Sequence, residues 1–92
     1  MILSFKDKET QLLYETEKTR KFTQIARVAL RKLIQLDEAV VIEDLTVPPG
    51  NRLEALKGSR LGQHSIRIND QFRICFIWNG KDAEAVEICD YH

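Results

Sequence analysis

The chain of 92 residues carries no excess of charge of either sign, with 14 Lys and Arg against 14 Asp and Glu. Phosphate contacts supply most of the affinity in nucleic-acid binding, so a neutral protein binds free RNA only weakly. Cysteine is scarce. Cys75 and Cys89 are too few for a disulfide framework, and a reducing compartment keeps them as thiols. There is no C-x-x-C, and His64 and His92 stand far apart, so no ligand spacing points to zinc. Long apolar runs are missing too; none approaches the roughly 20 residues of a membrane span. The opening MILSFKDKETQ has too short an apolar stretch for a signal peptide. The length excludes a complete dinucleotide-binding domain. With 43% hydrophobic and 30% charged residues, the composition fits a soluble globule rather than a disordered tail. The expectation is a single domain over residues 1–92, cytoplasmic, with no metal and no cofactor.

What is present reads as helices first and strands afterwards, an α+β pattern. Ile2–Phe5 suggests a short opening strand, and a first helix follows over Lys8–Lys18. Phe22, Ile25, Ala26, Ala29, Leu30, Leu33 and Leu36 recur at three- and four-residue spacings and predict a second helix over Arg20–Leu36. Val47-Pro48-Pro49-Gly50-Asn51 is a cluster of breakers and marks a loop. Strands are expected at Arg52–Leu56, Gln63–Ile68, Phe72–Trp78 and Ala83–Cys89, with Asn79-Gly80 as a hairpin signal.

Register follows from matching the apolar faces. If Asn69-Asp70-Gln71 is a loop of three residues, Ile68 faces Phe72, Arg67 faces Arg73 and Ile66 faces Ile74. A slip of one residue would turn every side chain to the wrong side. The same test pairs Ile74 with Val86 and Phe72 with Ile88. One sheet face then carries Ile66, Ile68, Phe72, Ile74, Phe76, Val86 and Ile88 and packs on the second helix. The other carries Arg67, Arg73, Glu87, Cys89 and Tyr91, left uncovered by the helices.

The charges are also unevenly spread. Residues 18–32 hold Lys18, Arg20, Lys21, Arg27, Arg31 and Lys32 and no acid, and the sheet region adds Lys57, Arg60, Arg67 and Arg73. A local basic surface can grip an RNA that something else presents. The plainer alternatives are a solvated helix face, and pairing of Arg67 and Arg73 with acids such as Glu87.

The stretch NRLEALKGSRLGQHSIRINDQFRICFIW and the ending ICDYH resemble the HigB toxins, members of the RelE-like toxins of bacterial toxin–antitoxin pairs. The likeness runs end to end, through L-K-G, S-I-R-I-N, F-R-I-C-F and the final D-Y-H. It implies a RelE-like fold, with an N-terminal strand and two helices on one face of a mostly antiparallel twisted sheet. It also implies an endoribonuclease that cuts messenger RNA in the ribosomal A site without a metal. In that chemistry the ribose 2′-hydroxyl attacks the adjacent phosphorus, leaving a cyclic phosphate and a free 5′-hydroxyl. The implied partners are the 70S ribosome with its mRNA and a HigA-like helix-turn-helix antitoxin, with operator DNA reached only through the toxin–antitoxin complex. No membrane is involved.

By the same resemblance, Lys57, Arg73, Asp90, Tyr91 and His92 are the catalytic candidates, with Arg67, Arg60 and Glu54 as RNA-binding candidates. Arg73 has the planar fork that suits a phosphate. Lys57 offers a second cation or a proton. His92 titrates near neutrality and suits an acid or base, Asp90 can orient it, and Tyr91 can stack on a splayed base. Glu54 departs from the family, which often has His there. It reads as an ion-pair residue, for example with Lys57, before a base. His64 reads as a histidine at the core edge, and Phe76 and Trp78 as packing. Two other classes of function stay open: a ParE-like toxin that inhibits DNA gyrase without cutting RNA, and a non-catalytic module whose basic helix docks an acidic protein.

Overall fold

The computed structural model describes residues 1–90; Tyr91 and His92 lie outside the described residues. Helix α1 spans Lys8–Thr16 and α2 spans Ala26–Glu38. Four strands follow: β1 (Glu54–Ala55), β2 (His64–Arg67), β3 (Phe72–Trp78) and β4 (Ala83–Asp90). They form an antiparallel sheet in the order β1-β2-β3-β4. The N-terminal segment joins the free edge of β4 in parallel, through bridges Ile2–Ala83 and Phe5–Val86. The expected opening strand is therefore two separate bridges rather than a continuous element.

Helix α1 begins at Lys8, as expected, behind an Asp7 cap. The Asp7 carboxylate accepts the Thr10 N–H at 3.2 Å, satisfying one of the free amides of the first turn. It ends at Thr16, two residues early, because Glu17 turns left-handed at φ 61° and returns its N–H to the Leu13 carbonyl. The second helix starts six residues later than its periodicity predicts. The Thr19 hydroxyl accepts the Phe22 N–H at 3.0 Å, and the Ile25 N–H bonds the Phe22 carbonyl at 3.1 Å. Those bonds make a turn, so Phe22 and Ile25 enter the core from outside the helix. Side-chain bonds to the local backbone compete with a helix in this way.

The apolar faces meet as expected. Leu13, Ala29, Leu33, Leu36, Ile66, Ile74, Phe76 and Val86 are fully buried. A buried side chain of this size contributes roughly 1.5–3 kcal/mol, so they are the main source of stability. Phe22 stands edge-on to Phe72, ring centres 6.0 Å apart. Thr10 adds a polar tie: its hydroxyl accepts the buried Ile88 N–H at 3.0 Å, pinning α1 to β4. Thr10→Val keeps the shape but strands that amide. It is expected to cost about 1–3 kcal/mol, read as a lower urea midpoint with an unchanged slope.

The β2–β3 register is Ile66–Ile74 and Arg67–Arg73, as the apolar match requires. The β3–β4 register differs. Ile74 faces Ile88 rather than Val86, and Phe72 faces Asp90 rather than Ile88. Two extra residues account for this. The hairpin uses four residues, 79–82, because Asn79 Oδ1 accepts the N–H groups of Lys81 and Asp82 and the Asn79 N–H bonds the Asp82 carbonyl. A bulge then adds one residue to β4 opposite Phe76, where Ala85 has φ 51° and gives its N–H to the Ser4 hydroxyl. The predicted faces survive because a slide of two residues preserves them.

Candidate functional site

The side of the sheet away from the helices carries Ser65, Arg67, Arg73, Cys75, Glu87 and Cys89. Residues 52–60 run along its rim. The expected strand over Arg52–Leu56 shrinks to Glu54–Ala55, since Arg52 is left-handed at φ 46° and cannot continue an extended chain. That turn has a consequence at Arg73. One guanidinium nitrogen, Nη2, donates to the Arg52 carbonyl at 2.7 Å. The other, Nη1, lies 3.5 Å from the Glu54 carboxylate. The Arg73 side chain is only 12% exposed, against 50% for Glu54. So Arg73 is a held cation whose acidic partner faces solvent.

Around it, Arg67 stands directly across from Arg73 on β2 and pairs with Asp70. Glu87 takes Arg60 and Lys6, each at 3.3 Å. Leu56 closes over Cys75 and Cys89 as a small apolar floor, and Lys57 follows it, exposed. Arg67 and Arg73 are thus paired, but with Asp70 and Glu54 rather than with Glu87. Glu54 is an ion-pair residue, with Arg73 as its partner instead of Lys57.

The floor is electrostatically uneven. The hydrogen bond between the two thiols pushes Cys75 down, against burial and with help from Arg60 and Arg73. The same bond, and then burial, push Cys89 up. Burial opposes the charge on Arg60, and the hydrogen bond to Glu87 supports it.

The structure gathers Glu54, Arg60, Arg67 and Arg73 on one face, with Lys57 in the rim segment. It does not bring Asp90 there. The register sets Asp90 opposite Phe72, on the other side of the sheet, where it accepts from Gln71 Nε2 at 2.9 Å. Tyr91 and His92 fall outside the described residues. His64 lies where its alternation put it, at the core edge, stacked on Phe76 with ring centres 6.2 Å apart. Among the described residues, no group of three or more His, Cys, Asp or Glu is placed to hold a metal ion. No helix among them is long and apolar enough to cross a membrane. A hollow of about 570 Å³ lies elsewhere, beside α1, lined by Glu9, Leu12, Thr16, Lys18, Thr19 and Arg20.

The sequence placed Lys32 among the cations of a basic helix surface and Asn51 in the breaker loop, and the structure corrects the first of these. Lys32 is buried on α2 and donates to the Asn51 side chain. Burial lowers its pKa, and the nearby charges of Arg31 and Arg67 lower it further. Asn51 is fully buried, and its Nδ2 donates to the Leu45 carbonyl and to Gln35 Oε1, both at 3.1 Å. The available signal was the position of Lys32, a cation on the apolar face between Ala29 and Leu33.

Two helices on one face of a four-strand antiparallel sheet, with a parallel N-terminal edge, define the RelE-like α+β fold. The chain superposes on one chain of the YoeB–YefM complex from Staphylococcus aureus with a TM-score of 0.62. That match covers 100% of this chain and 98% of the other at 18% identity. Likeness of fold at that identity leaves function open. Sequence goes further. The family model for HigB-like toxins, described as the RelE-like toxin of type II toxin–antitoxin system HigB, matches residues 3–92. Toxin HigB-1 of Vibrio cholerae is 44% identical over 80 residues, covering 85% of this chain and 84% of the relative. The protein belongs to the HigB-like toxin family.

Proposed function

We propose that the protein is a ribosome-dependent endoribonuclease, cutting messenger RNA presented in the ribosomal A site. The observation that carries this reading is Arg73: a guanidinium anchored by a backbone carbonyl, beside Arg67 and paired with the half-exposed Glu54. An incoming phosphate displaces the Glu54 carboxylate and takes over the same donors. Arg73 then stabilises charge as the 2′-hydroxyl attacks phosphorus, and Lys57 supplies a second cation. Arg60 and Arg67 hold the flanking strand. Tyr91 and His92 belong to the same proposal, with His92 as acid or base; Asp90, set on the other side of the sheet from Arg73, takes part only by orienting His92. The zero net charge fits a nuclease whose substrate is delivered by the ribosome, since free RNA would be held weakly. The protein then works in the cytoplasm, folded over residues 1–92 as one domain. Its partners are ribosome-bound mRNA and a helix-turn-helix antitoxin, through which alone it reaches operator DNA.

The test maps RNA ends. Ribosomes stalled with an empty A site on a defined message are mixed with the protein, alongside the message alone. Cuts within the A-site codon only when ribosomes are present are expected. No cut in either tube sinks the nuclease reading, and inhibition of purified gyrase in a supercoiling assay would replace it with the ParE-like one. Lys57→Ala is expected to slow cutting by about 10- to 100-fold through loss of one charge on the phosphorane, and to lift growth arrest. Lys57 is exposed, so its melting temperature should stay within a few degrees of the parent.

A further inference from the structure

We infer that Lys32 and Asn51 form a positioning clamp for Arg73, acting through the Arg52 carbonyl; this rests on the reading of Arg73 as the phosphate-gripping residue. The clamp is a continuous chain of polar groups from helix to sheet. Lys32, on α2, donates to Asn51 Oδ1. Asn51 Nδ2 donates its two hydrogens to the Leu45 carbonyl and to Gln35 Oε1, both at 3.1 Å, and passes 3.4 Å from the Val47 carbonyl. Gln35 Nε2 returns to the Val47 carbonyl. Both ends of the segment 45–51 are therefore tied to each other and to one face of α2.

The next residue is the point of delivery. Arg52 sits at φ 46° and ψ 54°, a region that side-chain-bearing residues rarely adopt. It is held there with Asn51 fixed on one side and β1 paired to β2 two residues later. Strained backbone of this kind persists only where its surroundings over-determine it. Here the result is a carbonyl aimed at Arg73 Nη2, 2.7 Å away. That bond fixes Nη2 and so sets the direction of Nη1, the nitrogen that lies 3.5 Å from the half-exposed Glu54 carboxylate. Lys32 and Asn51 are buried and touch no substrate; they act on the reaction only by fixing where the guanidinium points. A misplacement of about 1 Å in such a group can cost about 10²-fold in rate.

Burying a lysine against a neutral amide makes little sense for stability alone. The lone cation is poorly compensated, and its lowered pKa records the burden. The arrangement is intelligible as a device that holds a loop in one position.

The experiment is a double-mutant cycle on ribosome-bound message under single-turnover conditions, with the Arg Nε–H resonances of the folded protein followed by NMR. Asn51→Asp keeps an acceptor for Lys32 but removes the Nδ2 donors. Gln35→Ala is a gentler variant on the half-buried rim of the clamp, in case Asn51→Asp fails to fold. Asn51→Asp is expected to slow cutting about 10- to 100-fold, and Gln35→Ala by less. In an Arg73→Ala background, each should change the rate by less than about two-fold, because coupled residues are not additive. The Arg73 resonance should move while that of Arg20, beside α1, does not. Leu13→Val, on the buried face of α1 and outside the clamp, should lose stability and keep its rate. Full additivity, an undiminished rate in both variants, or an unmoved Arg73 resonance overturns the clamp. If the parent protein cuts nothing, the nuclease reading fails by itself, and the Arg73 resonance alone decides whether the clamp exists.

Discussion

Arg73→Ala is expected to slow cutting of ribosome-bound mRNA by about 10²–10³-fold, the loss typical of removing one donor from a developing oxyanion. The geometry makes it the largest single loss on this face. Arg73 is 12% exposed and held by the Arg52 carbonyl, so it enters the reaction already oriented and already partly desolvated. Lys57 and Arg67 lack that carbonyl anchor. Lys57 is exposed, and the Arg67 partner Asp70 is fully exposed. Arg73→Lys should recover little, since an ammonium cannot hold the Arg52 carbonyl and offer a second directed donor in the same plane. The fold should survive either change, because the carboxylate left behind on Glu54 is half exposed and rehydrates. Single-turnover rates on ribosomes, paired with melting curves, check this. An Arg73→Ala protein that cut at more than about a tenth of the parent rate would remove Arg73 from the proposed chemistry.

The same arginine shows how far the sequence could be read. Its face and its neighbour Arg67 were legible, because the apolar alternation of Ile66, Ile68, Phe72, Ile74 and Phe76 allows only one parity for the β2–β3 hairpin. Its partners were not. Glu54 reaches Arg73 only because Arg52 turns left-handed and shortens β1, and nothing in the alternation encodes that turn. The β3–β4 offset was illegible for a related reason. A hairpin longer by one residue and a bulge of one residue cancel in parity, so face matching cannot see them. The start of α2 failed because Phe22 and Ile25 keep helical spacing while the Thr19 hydroxyl holds their backbone in a turn. The Lys32–Asn51 bond joins residues 19 apart with no periodic signature. Asp90 read well as part of a motif and lies on the other side of the sheet from Arg73, since strand alternation separates it from Cys89.

Growth arrest can also be lost with the chemistry intact, and Phe76→Ala should show it. Phe76 is fully buried, the largest side chain in the core to be so, and His64 stacks on it. It lies at the bulge, where β4 has one residue too many and the sheet depends most on packing from its inner side. Truncation removes the ring and leaves a void that the flanking strands cannot collapse to fill, at about 3–5 kcal/mol. A domain this small has only about 5–15 kcal/mol in all. The corresponding fall in melting temperature is roughly 15–30 °C, enough to leave much of the protein unfolded at growth temperature. Phe76→Leu, which refills most of the volume, should give back over half of the loss. The two ways of losing toxicity then separate cleanly. Arg73→Ala accumulates as a folded, inactive protein, whereas Phe76→Ala is depleted and regains cutting in the cold. A Phe76→Ala protein that melts within about 5 °C of the parent would mean that the core repacks around the bulge.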